Sequence, residues 1–356
     1  MNSVLIFTLN LNAGGAENQL IKIAKLLVNN GRKVAFLVYK KEGTHLAELN
    51  DLGISIQSLP KINYIVDAYR LAKIVKKNSV DCVLSFLPPC NLVNELSKLL
   101  YTKHKVVVGA RSSKPSFRKA FRYKIFYWAH SLADCVISNT EMNKKDIITV
   151  NKRMTSGKIR VIYNLTDSTL PHSQYIPFAS NRINIVVAAN YRKVKNVDGL
   201  ISAISLLTDK EKEKVKVDWY GLDCGEKGGA IDCLIKEDLK DVVFLHDSTT
   251  TIIDEMNKAD VIALFSHYEG LPNSLCEALV IGKMIICTPV SDMPYLLKDS
   301  GNIVCASDRA EDIKQGLTSL IEKEKDSILE VGRRNREKYS SLFVNENIEE
   351  QLLSIF

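Results

Sequence analysis

Residues 259–289 read ADVIALFSHYEGLPNSLCEALVIGKMIICTP, and this stretch decides the predicted fold. Residues 261–265 form an apolar run bounded by polar residues, which is typical of a strand buried on both faces of a parallel sheet. A helix is predicted to begin at Pro272 and to end at Gly282, because apolar residues recur at helical spacing between them. A second apolar strand follows at residues 284–288. The stretch therefore predicts one strand–helix–strand unit of a parallel α/β sheet.

Two glutamates flank the predicted start of this helix. Glu269 lies in the loop after the first strand, and Glu277 lies one turn into the helix. Ligands of open α/β sheets bind at the carboxyl ends of the strands, and a helix N-terminus there holds phosphate through backbone N–H groups. The layout suits a nucleotide sugar, with its phosphates at the amides of Asn273, Ser274 and Leu275 and its hydroxyls at the glutamates. On the two glutamates alone, a turn residue and a solvated helix residue are the better interpretation.

The wider pattern gives these glutamates a family context. The motif E-G-L-P-N-S-L-C-E at residues 269–277, followed by A-L-V-I-G-K, resembles the E-x7-E signature of the retaining glycosyltransferases of family 4, which have the two-domain GT-B fold. The resemblance implies that Glu269 binds the donor sugar and that Glu277 binds the ribose. It also implies donor contacts for the backbone between them, at Gly270, Leu271, Asn273, Ser274 and Leu275. Met284 stands where the family usually has proline, and its predicted place in a strand makes this a change in packing.

Composition places the chain among ordinary globular proteins. It is 46% hydrophobic and 25% charged. Its length of 356 residues is enough for two domains with separate cores. No apolar run approaches the roughly 20 residues that span a bilayer, and no basic signal-peptide region follows Met1, so we expect a cytoplasmic protein. The eight cysteines contain no C-x-x-C pair, and we expect neither disulfides nor a zinc site.

Charge divides the chain into two halves. Residues 1–170 hold 26 Lys+Arg against 11 Asp+Glu, a net +15, whereas residues 171–356 hold 22 against 30, a net −8. Two halves of opposite sign indicate two domains that face different partners. The predicted parts are an acceptor-side Rossmann-like domain at 1–165, a linker at 166–182, a nucleotide-sugar-binding domain at 183–340 and a helix at 341–356. We expect that helix to pack back on the first domain, so that two doubly wound parallel sheets face a cleft.

A glycine pair lies in the first strand–helix turn of the first domain. Gly14 and Gly15 let the backbone approach a ligand closely, although many such turns need glycine for geometry alone. The G-x-G-x-x-G spacing of a dinucleotide site is missing. The segment N-A-G-G-A-E at residues 12–17 resembles the GGAE loop of family 4, which implies that Gly14 and Gly15 contact the phosphates and sugar of the donor.

A basic segment follows the first strand of the second domain. Arg192 and Lys195 belong to the sequence R-K-V-K-N, and the lysine precedes the pattern N-x-x-x-L-I. Lys195 is either a solvated loop lysine or a donor ligand, and its resemblance to the family's K-N pair favours the ligand. The family's arginine aligns on Asn190 here, and we expect Arg192 to replace it.

The histidine and carboxylate spacing predicts no metal. The six histidines show no H-x-x-x-H pattern, and no D-x-D motif occurs. We therefore expect no cofactor and no metal-clamped diphosphate. Arg192, Lys195, the amides of Gly14 and Gly15 and the helix start at Asn273 would meet the charge of the leaving group.

One segment of the first domain is strongly basic. Between Leu96 and Ala133 there are nine Lys and Arg residues, no acidic residue and several aromatic residues. Such a segment suits an anionic membrane surface or a solvated basic helix, and it suits nucleic acid less well because no recognition motif accompanies it. Arg118 and Arg122 are the candidates for membrane contact, and Arg111 is a candidate for phosphate or acceptor contact. His130 lies in an aromatic helix, where a packed histidine is the favoured interpretation.

These observations predict a retaining, metal-independent glycosyltransferase. It would move a hexosyl or related group from a nucleoside diphosphate sugar, such as a UDP-sugar, to an acceptor hydroxyl. The acceptor is expected in bacterial-type surface polysaccharide or lipid-linked glycan assembly, with a peripheral position on the inner face of the membrane. A nucleotide-sugar epimerase of the same fold and a non-catalytic membrane-associated binding protein are the alternatives, and nucleic acid is not an expected partner.

Overall fold

The computed structural model describes residues 3–12, 14–111, 120–166, 170, 181–343 and 346–356. The chain forms two compact units. Unit 1 comprises Met1–Leu165 together with Glu346–Phe356, and unit 2 comprises Thr166–Asn345. Most of the predicted linker at 166–182 lies outside the described residues.

Unit 1 contains a seven-stranded parallel sheet. Its strands are β1 Ser3–Thr8, β2 Lys33–Val38, β3 Ser55–Ser58, β4 Cys82–Phe86, β5 Lys105–Ala110, β6 Cys135–Ser138 and β7 Ile159–Val161. Their order in the sheet is β3-β2-β1-β4-β5-β6-β7. β1 pairs with β2 from Ser3 and Lys33 onward and with β4 from Val4 and Cys82 onward. The chain thus builds outward from β1 in one direction and then from β4 in the other.

Helices cover both faces of this sheet. They are α1 Gly15–Asn29, α2 Leu46–Asp51, α3 Tyr64–Lys77, α4 Pro88–Leu100, α5 Phe121–Ala129 and α6 Glu141–Val150, with single 3₁₀ turns at His130–Leu132 and Ser156–Lys158. On one face, α4 packs between α3 and α5. The opposite face packs against α1, whose buried stripe includes Leu20, Ile23 and Leu27.

Residues 346–356 complete the core of unit 1. They form α15, Glu346–Leu353, and a short extension. Ile348, Leu352 and Phe356 are buried in the same cluster as the apolar face of α1. Lys105 Nζ also donates to the carbonyl of Ile355 at 2.7 Å. Apolar burial and a hydrogen bond to the end of the sheet therefore hold this segment in unit 1.

Unit 2 contains a six-stranded parallel sheet. Its strands are β8 Ile183–Ala188, β9 Val215–Gly221, β10 Val243–Asp247, β11 Val261–Leu264, β12 Met284–Cys287 and β13 Ile303–Val304, in the order β10-β9-β8-β11-β12-β13. The helices are α7 Val197–Ser205, α8 Asp209–Lys212, α9 Lys227–Lys236, α10 Ile252–Lys258, α11 Asn273–Ile281, α12 Met293–Leu296, α13 Ala310–Ile321 and α14 Lys325–Phe343. Both predicted doubly wound sheets are therefore confirmed.

The predicted strand–helix–strand unit forms the middle of this sheet. Every residue of β11 is buried, as is expected for a strand covered by helices on both faces. α11 ends at Gly282, whose φ of 85° lies in the left-handed region that glycine adopts without strain. β12 then returns parallel to β11. The loop between β11 and α11 is thereby fixed at the carboxyl edge of the sheet.

Candidate functional site

The strand order of unit 2 reverses between β8 and β11. These two strands are neighbours, while the chain continues from β8 toward β9 and from β11 toward β12. The loops that follow them therefore leave in opposite directions and open a crevice at the carboxyl edge, where ligands of doubly wound folds bind. The loop after β8 carries Asn190, Arg192 and Lys195, and the loop after β11 carries Glu269.

Lys195 and Glu269 form an ion pair across this crevice. Lys195 Nζ lies 2.5 Å from Glu269 Oε1, and Ser266 Oγ donates to the same oxygen at 2.7 Å. The side chains remain 22% and 15% exposed, so a ligand in the crevice can reach them. A carboxylate held in this way can accept hydrogen bonds from sugar hydroxyls, and the ammonium can meet phosphate oxygens.

Asn196 ties the two loops together. Its backbone adopts the left-handed conformation, with φ of 61°. Its Nδ2 donates to the carbonyls of Phe265 at 3.1 Å and Asp308 at 3.0 Å. A Cβ on Gly199 would lie 2.3 Å from Asn196 Oδ1, so the glycine leaves room for this side chain. In the K-N pair, the lysine contacts the glutamate, and the asparagine bonds the loop that carries the lysine to the segments after β11 and β13.

Two further contacts brace the loop after β11. His267 Nδ1 lies 2.6 Å from Asp308 Oδ2, while the His267 backbone N–H donates to the carbonyl of Val194 at 2.9 Å. Thr288, just after β12, donates its hydroxyl to the carbonyl of Ser266 at 2.7 Å. The contacts by which Ser266, His267 and Asp308 hold this loop were not predicted from the sequence. A polar residue directly after a buried strand was the available signal for Ser266.

The N-terminus of α11 opens next to Glu269. Pro272 occupies the N-cap and supplies no side-chain cap. The first intrahelical hydrogen bond joins Cys276 N–H to the Pro272 carbonyl, so the amides of residues 273–275 form the positive end of the helix dipole. Gly270, Leu271 and Leu275 are buried, and Asn273, Ser274 and Glu277 are half-buried. The structure thus places all of these predicted donor-binding residues on one strand–helix unit.

Arg192 and Asn190 contact a different segment. Arg192 is exposed, and its Nε donates to Cys224 Sγ at 3.4 Å. Asn190 Oδ1 accepts from the backbone N–H of Leu222 at 3.1 Å. Both side chains are directed to the loop after β9 rather than to the Lys195–Glu269 pair. A donor role for either residue stays a prediction.

Lys283, next to the motif, is buried and has a structural role. Its Nζ donates to the carbonyls of Asn257 at 2.7 Å and Ala259 at 2.8 Å, where α10 ends. Burial lowers the pKa of Lys283 to about 8. The two hydrogen bonds of Lys283 satisfy carbonyls at the end of α10 and so hold the chain before β11 in place.

In unit 1, Gly14 is the N-cap of α1. A Cβ at this position would lie 2.4 Å from Glu17 Oε2, so a larger residue there would displace the folded-back carboxylate of Glu17. Gly15 begins the helix, and Ala13 lies outside the described residues. Donor contacts by the two glycines stay predictions.

The basic candidates of unit 1 differ in how far the structure describes them. Arg111 Nη2 donates to Asn164 Oδ1 at 2.5 Å, and the guanidinium of Arg111 lies 4.8 Å from the centre of the Phe86 ring. Arg122 lies on α5, and Arg118 lies outside the described residues. Arg111 is therefore engaged within unit 1, and an acceptor contact stays a prediction.

His130 is a packed histidine, as predicted. It is buried, and its Nδ1 lies 2.5 Å from Oε1 of the equally buried Glu95. Burial raises the pKa of the Glu95 carboxyl, although His130 opposes the shift. This pair joins the 3₁₀ turn after α5 to α4 inside the helical layer.

Within the described parts of the chain, His, Cys, Asp and Glu form no group of three or more that could hold a metal ion. Among those same residues, no helix is long and apolar enough to cross a membrane.

Comparison with known proteins gives two family matches that follow each other along the chain. Residues 13–170 match the model described as Glycosyltransferase Family 4, and residues 172–339 match the model described as Glycosyl transferases group 1. No curated protein sequence matches the chain.

Several solved structures share the fold over the whole chain. HepE from Anabaena, solved with UDP, is 14% identical and aligns with a TM-score of 0.84 over 99% of each chain. HepE has also been solved with UDP-glucose. A glycosyltransferase from Rickettsia africae ESF-5 is 17% identical, with a TM-score of 0.81 over 99% of this chain and 98% of that chain. TarM from S. aureus, solved with fondaparinux, α-GlcNAc-glycerol and UDP, is 12% identical, with a TM-score of 0.79 over 100% and 99%. These likenesses confirm the predicted GT-B fold.

Proposed function

Because the chain belongs to the GT-B glycosyltransferases, we propose that it moves a glycosyl group from a nucleoside diphosphate sugar to an acceptor hydroxyl, with retention of configuration. The observation that carries the proposal is the Lys195–Glu269 ion pair at the point where the strand order of unit 2 reverses. It combines an ammonium for phosphate with a carboxylate for sugar hydroxyls, beside the positive end of α11.

The proposed donor is a UDP-sugar. Two of the similar structures, HepE and TarM, were solved with UDP, and HepE was also solved with UDP-glucose. In this chain the diphosphate would lie at the amides of residues 273–275 and at Lys195, with the ribose hydroxyls at Glu277. A charge-assisted hydrogen bond between Glu277 and the ribose would fix the nucleoside end of the donor.

The chemical step breaks the bond between the anomeric carbon and the diphosphate and forms a bond from the acceptor oxygen to that carbon. The acceptor proton passes to the departing diphosphate, which balances the reaction. Negative charge gathers on the leaving oxygen as its bond breaks, and Lys195 and the N-terminus of α11 would stabilise it. Glu269 would orient the sugar and stabilise positive charge at the anomeric carbon. We propose that Arg192 adds a second cation and that the reaction requires no metal.

The proposed acceptor belongs to surface polysaccharide or lipid-linked glycan assembly. Support comes from the charge of the first part of the chain. Residues 1–170 carry a net charge of +15, whereas the remaining residues carry a net charge of −8. A cationic domain attracts an anionic membrane and a pyrophosphate-linked lipid acceptor alike. The enzyme would then act on the cytoplasmic face of the membrane.

The test is incubation with a panel of nucleotide sugars, with and without a lipid-linked acceptor, while release of nucleoside diphosphate is measured. Release that increases with acceptor supports transfer. Conversion of the donor to an isomeric nucleotide sugar without release would establish the epimerase. Binding of UDP without any turnover on the full panel would establish a non-catalytic binding protein.

A further inference from the structure

Helix α3 exposes an apolar stripe to solvent. Ile62, Ile65 and Tyr69 are exposed, and Ile65 reaches 77% exposure. They recur at positions i, i+3 and i+7, so they lie on one face of the helix and the turn before it. The opposite face is buried, as Leu71 and Val75 pack into the core beneath the helix. The stripe therefore belongs to a helix that is already fully packed on its inner side.

Helix α5, in the same helical layer, exposes a second stripe. Phe121, Ile125 and Trp128 are exposed at i, i+4 and i+7, and Phe121 reaches 70% exposure. The rings of Phe121 and Trp128 meet edge to face, with centroids 5.5 Å apart. Because α4 packs between α3 and α5, two helix–helix spacings of 8–10 Å place the stripes roughly 16–20 Å apart. We call the two stripes and the lysines of α3 the α3–α5 surface.

The charge on this surface has one sign. Lys73, Lys76 and Lys77 are exposed on α3, and Lys61 is exposed just before it. The sole acidic residue of α3 is Asp67, which is fully buried and accepts a hydrogen bond from Tyr39 Oη at 3.2 Å. Helix α5 has no acidic residue. Helix α3 therefore presents apolar and cationic groups to solvent, helix α5 presents apolar groups, and neither helix exposes a carboxylate.

We propose that the α3–α5 surface docks unit 1 onto an anionic membrane. Helices that lie in a membrane interface combine lysines with exposed aromatic and aliphatic side chains in this way, and Trp and Tyr favour the headgroup level. A second copy of the chain is a poorer partner, because it would set one lysine-bearing surface against another. Membrane binding by this surface does not depend on the proposed function. Only its purpose, which is to bring the enzyme to a lipid-linked acceptor, rests on that function.

The charge of α3 is the first element to test. In sedimentation with vesicles of phosphatidylcholine and phosphatidylglycerol in equal parts, the full chain should pellet at low salt and stay in the supernatant with phosphatidylcholine alone. Lys73→Glu with Lys76→Glu should reduce partitioning about 30-fold or more, because each lysine near such a surface contributes about 1 kcal/mol. The matched control is Lys236→Glu with Lys240→Glu, which reverses two exposed lysines of unit 2 and should leave partitioning unchanged.

The apolar stripe is tested separately. Ile65→Ser with Tyr69→Ser should weaken vesicle binding at high salt as well as at low salt, because apolar burial is not screened. Ile235→Ser with Leu222→Ser, two exposed apolar residues of unit 2, is the control. Circular dichroism and thermal unfolding should be those of the parent chain in all four variants, since every changed residue is exposed.

Besides a failure to bind anionic vesicles, three results would overturn the proposal. They are equal binding to neutral vesicles, equal losses in the unit 2 controls, and a concentration-dependent dimer that Ile65→Ser with Tyr69→Ser abolishes in the absence of lipid. Calorimetric titration with UDP on the same samples separates this inference from the donor site. UDP binding without vesicle binding rejects the docking surface alone, and vesicle binding without UDP binding rejects the donor site alone.

Discussion

Lys195 Nζ lies 2.5 Å from Glu269 Oε1, although 74 positions separate the two residues in the chain. The pair joins the loops that follow β8 and β11, the two strands between which the sheet order reverses. A partly exposed ion pair contributes little to stability, so its value lies in holding both charges ready for a ligand. A bound diphosphate would draw Lys195 from Glu269 and leave the carboxylate to the sugar.

The two glutamates of the motif should differ in their kinetic effects. Glu277→Ala removes a charge-assisted hydrogen bond to ribose, worth about 1.5–3 kcal/mol, and should raise the Kd for UDP about 10-fold or more. Glu269→Ala should lower kcat more than it weakens donor binding, because its contact is to the group that moves. Steady-state kinetics and UDP titration measure the two effects, and Glu269→Gln is the matched variant without charge. Near-wild-type behaviour of both alanine variants would reject the assignment of the site.

Arg192 should matter to turnover more than Asn190 does. Arg192→Ala should lower kcat strongly if its guanidinium leaves Cys224 to meet the departing diphosphate. Asn190→Ala loses the hydrogen bond to Leu222 N–H and should cost about 1 kcal/mol of stability with little loss of turnover. The reverse order of kcat effects would mean that Asn190 contacts the donor and that Lys195 supplies the charge by itself.

Asn196 should be a positioning residue. Asn196→Gly keeps the left-handed backbone but removes the side chain that donates to the Phe265 and Asp308 carbonyls. We expect a loss of about 1–3 kcal/mol in urea unfolding and a fall in kcat, because Lys195 is no longer held near Glu269. Asn196→Ala adds backbone strain and should be less stable still. Full turnover in the glycine variant would show that Lys195 needs no such support.

His104 should make the protein less stable in mild acid. Burial lowers the pKa of His104 from 6.5 to about 4. Between these values the unfolded chain binds a proton that the folded chain does not, so stability falls as pH decreases from 6.5 to 4. The loss approaches about 3 kcal/mol, at roughly 1.4 kcal/mol per pKa unit. Urea unfolding across this range measures it, and His104→Gln should show a correspondingly smaller decrease. Identical pH profiles for the two proteins would contradict the prediction.

Chelation should leave transfer largely intact. EDTA removes divalent ions, whereas Lys195 and the N-terminus of α11 would still meet the charge of the diphosphate. Activity in the nucleotide-sugar panel, before and after EDTA, provides the measurement. Loss of all activity, with recovery on addition of Mg²⁺ or Mn²⁺, would refute the metal-independent mechanism.

The sequence predicted the central unit because its signals are local. The buried run of β11, Pro272 and Gly282 each act within a few residues, and the structure places each at the predicted element or boundary. The ties that position the site were not predictable in this way. Asn196 reaches the carbonyl of Asp308 across 112 positions, and such a contact depends on the completed sheet order.

Helix α14 was also not predicted, and its packing explains why. Helix α14 packs closely against the turn after α11 where Gly332 faces Gly282. A Cβ on Gly332 would lie 2.3 Å from the carbonyl oxygen of Gly282, so this contact needs glycine at position 332. Asn335 Nδ2 adds a hydrogen bond to the carbonyl of Lys283 at 2.8 Å. A glycine and an asparagine at a buried helix contact do not produce the apolar periodicity by which helices are recognised.

The return of residues 346–356 to unit 1 has a consequence for synthesis. The ribosome makes residues 166–345 between the two parts of unit 1, so unit 2 can close its core first. Until Ile348, Leu352 and Phe356 are made, the apolar cluster that they share with α1 and the sheet is incomplete. The first unit to leave the ribosome can therefore complete its core only after the second has been made, and its nascent form leaves part of that apolar cluster uncovered.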